Sequence, residues 1–142
     1  MTPFTLNGIV RNRDVTIFYI GEVLKELRID QFRTRCIDIT FSGSKDMSDG
    51  ELGLCTGDTD YVEIIIGTRM TYLEMMKTLT HELVHARQIL RGQLTCENKF
   101  VWKGHTPPAS VAYESMPWEK EAYQLEDIIF DKRFPFHLKY KQ

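Results

Sequence analysis

Thr71-Tyr72-Leu73-Glu74, followed after six residues by His81-Glu82-Leu83-Val84-His85 and closed by Arg91-Gly92, decides how this chain is read. Thr71 and Glu74 are spaced as a helix N-cap and its N3 partner, a reciprocal pair that satisfies two free amides at a helix start. Gly92 stands where a helix can close on a left-handed residue. Between them there is neither Pro nor Gly, and Leu73, Met76, Leu79, Leu83, Ala86 and Leu90 recur at helical period. One helix with an apolar stripe is predicted. His81 and His85 border that stripe, one turn apart on one face, with Cβ atoms about 6 Å apart. Both imidazoles can therefore reach a single ion. Glu82 lies about 100° round the helix from His81, close enough to touch a water on that ion without binding the ion itself.

This H-E-x-x-H spacing offers two zinc ligands and a general base. A catalytic zinc site needs a third protein donor, with the fourth position left to water. A continuation through Gly at 88 fails because that residue is Gln88, and a histidine at 89 is excluded by Ile89. A glutamate from a second helix remains, and Trp118-Glu119-Lys120-Glu121-Ala122-Tyr123 offers two. Pro117 suits a first helical turn, and Trp118, Ala122, Leu125, Ile128 and Ile129 then mark an apolar face. Glu121 falls within that face, whereas Glu119 lies more than a right angle from its centre. A carboxylate on a core-facing stripe is costly unless paired or metal-bound. Glu121 is thus the expected third ligand and Glu119 is expected in solvent. The plainer alternative puts Glu121 in a surface salt bridge, and Glu119 or His105 then stands as the third donor.

These residues resemble the gluzincin arrangement, in which a glutamate directly before an alanine is the third zinc ligand, as Glu121-Ala122 would be. Val101-Trp102-Lys103-Gly104 followed by Pro117-Trp118-Glu119-Lys120-Glu121-Ala122 is similar to the pattern of minimal zincin domains, among them SprT-like proteins and small phage-type and repressor-directed peptidases. The resemblance covers residues 72–129. It implies a zinc metallopeptidase whose Zn2+ is held by His81, His85 and Glu121, with a peptide or protein as substrate. Glu82 would take the proton of the attacking water and pass it to the leaving amine. Tyr113 or His105 would donate to the oxyanion. A strand beside the cleft, residues 61–66 or 99–103, would pair with an extended substrate. The aspartate that larger gluzincins carry four residues after the third ligand is Leu125 here, which leaves Asp127 as the candidate to orient a histidine. Two other functions fit the same residues: a non-catalytic zinc-containing binding module, and a regulatory protease working near DNA.

The composition is compatible with these readings. At 142 residues the chain is expected to form one domain, 1–142, and its 42% hydrophobic and 27% charged residues are ordinary for a soluble globular protein. A net charge of −2 gives no electrostatic footprint for nucleic acid. Cys36, Cys55 and Cys96 are odd in number and form no C-x-x-C, so free thiols in a reducing compartment are expected. No charged-then-apolar leader is evident, and the run Ile64-Ile65-Ile66 is far too short to span a bilayer, so a cytoplasmic location is expected. Asp46, Asp49 and Glu51 do not make a calcium loop, since Lys45 and Met47 occupy positions that need acids.

Outward from the motif, residues 1–13 are poorly patterned and 14–27 carry a helical apolar face of Val15, Phe18, Ile20, Val23, Leu24 and Leu27. Residues 36–41 alternate as a half-buried strand. Residues 52–55 and 61–66 form a hairpin through Thr56-Gly57-Asp58-Thr59-Asp60. A short strand at 99–103 puts Trp102 in the core or a cleft wall, and a loop at 104–116 leads to a last helix over 118–130. Phe134-Pro135-Phe136 is expected to cover apolar surface, and the tail with Lys139 and Lys141 to be solvated. The predicted architecture is α+β and zincin-like: a small mixed sheet of about three to four strands packed on the motif helix and a C-terminal helix.

Overall fold

Alternation of side chains builds the centre of the sheet. In β2 (Cys36–Ser42) residues Ile37, Ile39 and Phe41 are buried, and in β4 (Tyr61–Gly67) so are Val62, Ile64 and Ile66. Each strand thereby presents one branched or aromatic row to the core. A computed structural model describes residues 3–32, 34–43, 52–96, 100–108 and 110–142. The acidic stretch with Asp46, Asp49 and Glu51 lies outside them. Four strands pair in the order β1-β2-β4-β3, with β1 (Phe4–Gly8) parallel to β2, β2 parallel to β4, and β3 (Gly53–Gly57) antiparallel to β4. The expected hairpin is therefore present and forms one side of the sheet. Helices α1 (Arg13–Glu26), α2 (Tyr72–Leu90) and α3 (Pro117–Arg133) complete a mixed α+β architecture.

Strand β1 falls in the stretch that sequence reading left unpatterned. No side chain in it is fully buried, and its hydrophobic signal is only the two partly buried residues Phe4 and Leu6, packed against the core. Its place is secured by backbone pairing to β2 and by a polar row: Asn7 Nδ2 and the Thr5 hydroxyl both donate to Asp38. Tyr61 reaches the same carboxylate from β4, at 3.0 Å. A second omission is β5 (Leu94–Thr95), which pairs antiparallel with β6 (Val101–Trp102). Each is two residues long, too short for a period to register.

Helix α2 forms as its sequence dictates. The Glu74 amide donates to Thr71 Oγ1 at 3.2 Å, and the Thr71 amide donates to Glu74 Oε2 at 3.1 Å, closing the capping box. At the far end Gly92 adopts φ +70°, its amide donates to Ile89 O, and Gln93 N donates to Gln88 O. That 6→1 and 5→2 pair is a Schellman closure, which a glycine in the left-handed region makes without strain. Met76, Leu79, Leu83 and Ala86 are buried in one core with β2 and β4.

Helix α3 is also where expected, but its buried face is turned. Trp118, Glu119, Ala122, Ile129 and Phe130 are buried, whereas Ile128 is 60% exposed. The predicted stripe counted Leu125 and Ile128 and left out Glu119 and Phe130, so its centre lies roughly 60° from that of the buried face. What fixes the real face is an aromatic cluster: the Phe130 and Phe134 rings stack at 5.0 Å and both meet Tyr19 edge-on. Phe134 thus covers the core as expected, with Phe136 edge-on against it at 4.9 Å. Lys139 and Lys141 are exposed as expected, while the backbone of the tail is anchored. Asn12 accepts from the Lys141 amide and donates to its carbonyl, both at 2.8 Å, and Tyr140 packs on Tyr72. Among the described residues no helix is long and apolar enough to cross a membrane, and all three cysteines are free thiols.

Candidate metal centre

Two polar stripes face each other where α2 packs on α3. His81, His85 and Gln88 occupy positions i, i+4 and i+7 of α2; Glu119, Tyr123 and Glu126 occupy the same spacing on α3. Such residues share one helix face. His81 Nε2 lies 2.9 Å from Glu119 Oε1, and His85 Nε2 lies 3.0 Å from both Glu119 oxygens. One donor atom from each of His81, His85 and Glu119 falls within 4.8 Å of the others, so these three could hold a metal ion.

The carboxylate that meets both imidazoles is therefore Glu119, where Glu121 was expected. Glu119 is buried, at 4% exposure. Glu121 turns the other way, accepting from Arg87 Nη2 at 3.3 Å and from Gln88 Nε2 at 3.1 Å, with its side chain 30% exposed. The physical reason is the rotation of α3: on the real face Glu119 is near the centre and Glu121 beyond the edge. His105 is not at the site. It forms a bridge with Trp102 on the β6 turn, beside a separate pocket. Asp127, the sequence candidate for orienting a histidine, is paired with Lys77 at 3.5 Å.

Glu126 and Gln88 orient the imidazoles instead. Glu126 Oε1 accepts from His81 Nδ1 and Gln88 Oε1 accepts from His85 Nδ1, each at 2.8 Å. With each Nδ1 committed outward as a donor, the remaining lone pairs on both Nε2 atoms face the Glu119 carboxylate. Electron-rich atoms so close together need a cation among them, either protons on the rings or a metal ion. The donor set fits zinc, which takes imidazole nitrogen and carboxylate oxygen.

The metal-free site answers with protons. Burial alone would lower the pKa of His81, but the Glu119 and Glu126 carboxylates outweigh it and raise it to about 10. His85 is raised by the same contest with Glu119. Burial would raise Glu119, yet the two imidazoles bring it down to about 2. Glu82 is different: burial pushes it up to about 7, against the pull of His85 and His81. A carboxyl held there can both take and release a proton near neutrality.

Glu82 lines the same cleft, about 730 Å³ in volume, together with His81, His85, Glu119 and Glu126. Strand β3 forms one wall of it. A Cβ on Gly53 would sit 3.0 Å from Glu82 Cγ and Oε2 and from Thr78 Cγ2. Only a residue without a side chain lets β3 approach this carboxylate so closely. The opposite wall is aromatic: Phe100 stacks on Trp118 at 5.1 Å and tilts against Tyr113 at 5.8 Å. Tyr113 does line the cleft, half exposed, and so does Tyr123, whose ring lies 4.7 Å from that of His81. Trp102 packs beside Trp118, half-buried. The Trp118 indole N–H is buried with no hydrogen-bond partner of good geometry, although the Tyr113 phenol is beside it.

Of the two strands expected to receive a substrate, only β4 has both edges occupied, by β2 and β3, whereas β6 is paired on one edge, with β5. β3 is the edge strand that borders the cleft. Sequence reading held Glu119 only as the alternative to Glu121 and missed Glu126, Gln88, Tyr123 and Gly53. The matching i, i+4, i+7 stripes on α2 and α3 were a signal that could have found all but Gly53. No protein-family model, curated protein or solved structure matches the chain.

Proposed function

We propose that this chain is a zinc-dependent peptidase of the zincin type, in which His81, His85 and Glu119 hold the ion and Glu82 is the general base. The observation that carries this reading is the convergence of two imidazole Nε2 atoms and one buried carboxylate on a single point, beside a fourth group, the separate carboxylate of Glu82, in an open cleft. A purely structural site has no use for that fourth group. A bound zinc ion supplies Lewis acidity and brings the pKa of its water toward about 7.

The protein's own groups do the rest. Glu82 takes the proton of the attacking water and returns it to the leaving amine. Tyr113 and Tyr123 stand in the cleft as phenol donors for the oxygen that gains charge. An extended peptide adds to the free edge of β3, which aligns its backbone past Glu82. The aromatic wall of Phe100, Tyr113 and Trp118 excludes water on the other side.

The test is Glu82→Gln. Zinc content should match the parent, while cleavage of a peptide library should fall by at least about 100-fold. A variant that cleaves as fast as the parent removes Glu82 from its role. A parent that binds zinc stoichiometrically yet digests no peptide or protein substrate establishes the non-catalytic zinc module instead.

A further inference from the structure

We propose that Gln88 and Glu121 form a positioning relay behind His85 that fixes which ring nitrogen faces the metal centre. This rests on the metal-centre reading above. Gln88 is fully buried, and its amide is oriented by its hydrogen-bond partners. Nε2 donates one hydrogen to the Trp118 carbonyl at 3.0 Å and the other to Glu121 Oε1 at 3.1 Å. Both of those partners are acceptors, so the nitrogen end of the amide must face them. Oε1 is left to face His85 Nδ1, at 2.8 Å. A carbonyl oxygen only accepts. His85 must therefore carry hydrogen on Nδ1, which leaves the Nε2 lone pair of the neutral ring directed at the point shared with His81 and Glu119.

Glu121 acts at one remove. Arg87 Nη2, two residues beyond His85 on α2, holds its carboxylate at 3.3 Å. Without that carboxylate the Gln88 amide keeps one acceptor, the Trp118 carbonyl, for two hydrogens, and a flip, although it sets the amide oxygen against that carbonyl, is opposed less strongly than in the parent. The flipped form offers N–H to His85 Nδ1, which must then accept, and the ring proton moves to Nε2. A ring so protonated cannot ligate. The carboxylate that sequence reading took for a ligand thus controls the tautomer of one.

The two histidines are consequently supported in different ways. His81 Nδ1 meets the carboxylate of Glu126 directly, whereas His85 is separated from the carboxylate of Glu121 by a neutral amide. A direct carboxylate increases the donor strength of an imidazole, and an amide orients it with less effect on its charge. His81 is the stronger donor and His85 the more strictly oriented one.

The experiment compares the parent with Gln88→Leu, Glu121→Leu and Glu121→Gln, measuring zinc affinity by chelator competition and ring protonation by nitrogen-15 NMR. Gln88→Leu should bind zinc about 10- to 100-fold more weakly. Glu121→Leu should lose several-fold, and Glu121→Gln, which keeps an acceptor, should stay within about twofold of the parent. Should Gln88→Leu fail to fold, the two Glu121 variants decide. Parent-like affinity in both leucine variants, or a parent spectrum with the zinc-loaded His85 proton on Nε2, overturns the relay. A parent that binds no zinc defeats the metal-centre reading alone. The relay is then read from a His85 Nδ1–H coupling across the hydrogen bond to Gln88: its presence in the parent and loss in Gln88→Leu support it, and its absence from the parent overturns it.

Discussion

Helix α2 has two faces made on opposite principles. Toward the sheet it presents Met76, Leu79, Leu83 and Ala86, all buried and all apolar. Toward α3 it presents His81, His85 and Gln88, each tied to a named atom of another side chain. The first face is held by area and fill, which any period-matched set of apolar residues approximates. The second is held by direction, where the loss of one partner leaves a buried polar group unsatisfied. Stability should reside chiefly in the first and chemistry in the second, so changes on the two faces should separate.

Leu79→Ala gives the largest expected effect on folding. Removing a fully buried leucine costs about 2–5 kcal/mol, readable as a shift in urea midpoint. Zinc affinity of the folded fraction should be unchanged. A parallel loss of affinity would mean that the two faces are not separable.

Gly53→Ala should do the reverse. Its Cβ would press on Glu82 Cγ and Oε2 at 3.0 Å, displacing the base by a few tenths of an ångström. A roughly tenfold fall in kcat is expected, with Tm and zinc content close to those of the parent. Full activity would show that Glu82 does not depend on the approach of β3.

The smallest effect, a few degrees in Tm, concerns pH. In the metal-free protein Glu119 has a lowered pKa, so its contribution is present above its ordinary 4.5 and lost as pH falls through about 2. His81 has a raised pKa, so its contribution is complete below its ordinary 6.5 and lost as pH rises through about 10. Glu82, raised to about 7, contributes fully below its ordinary 4.5 and loses that contribution as pH rises through about 7. Metal-free protein should therefore melt highest near pH 4.5 to 5 and decline from there toward neutrality. Zinc binding needs unprotonated imidazoles, so the rise in Tm caused by zinc should grow from pH 5 to 8. A zinc-induced shift independent of pH would mean that protons and metal do not compete for one site.

The same contrast explains what could be read from the sequence. Helix α2, its capping box, its Gly92 closure and the alternation of β2 and β4 follow from local chemistry and period. They are present as expected. The choice between Glu119 and Glu121 turned on the orientation of α3, which the period count misjudged by taking in the exposed Ile128 and leaving out the buried Phe130. That orientation is set by Phe130 and Phe134 packing on Tyr19, contacts more than a hundred residues apart in the chain. Glu126 and Gln88 were missed for a related reason, since their roles depend on what stands opposite them. Strand β1 was missed because its support is the distant Asp38 and the backbone of β2.

The most direct test of the account is metal content in two single variants that differ by one helical step, Glu119→Ala and Glu121→Ala. Glu119→Ala should leave purified protein essentially free of zinc after dialysis, while Glu121→Ala should retain zinc near the parent stoichiometry with only a weakened affinity. Zinc retained by Glu119→Ala and lost from Glu121→Ala would contradict the account at its centre.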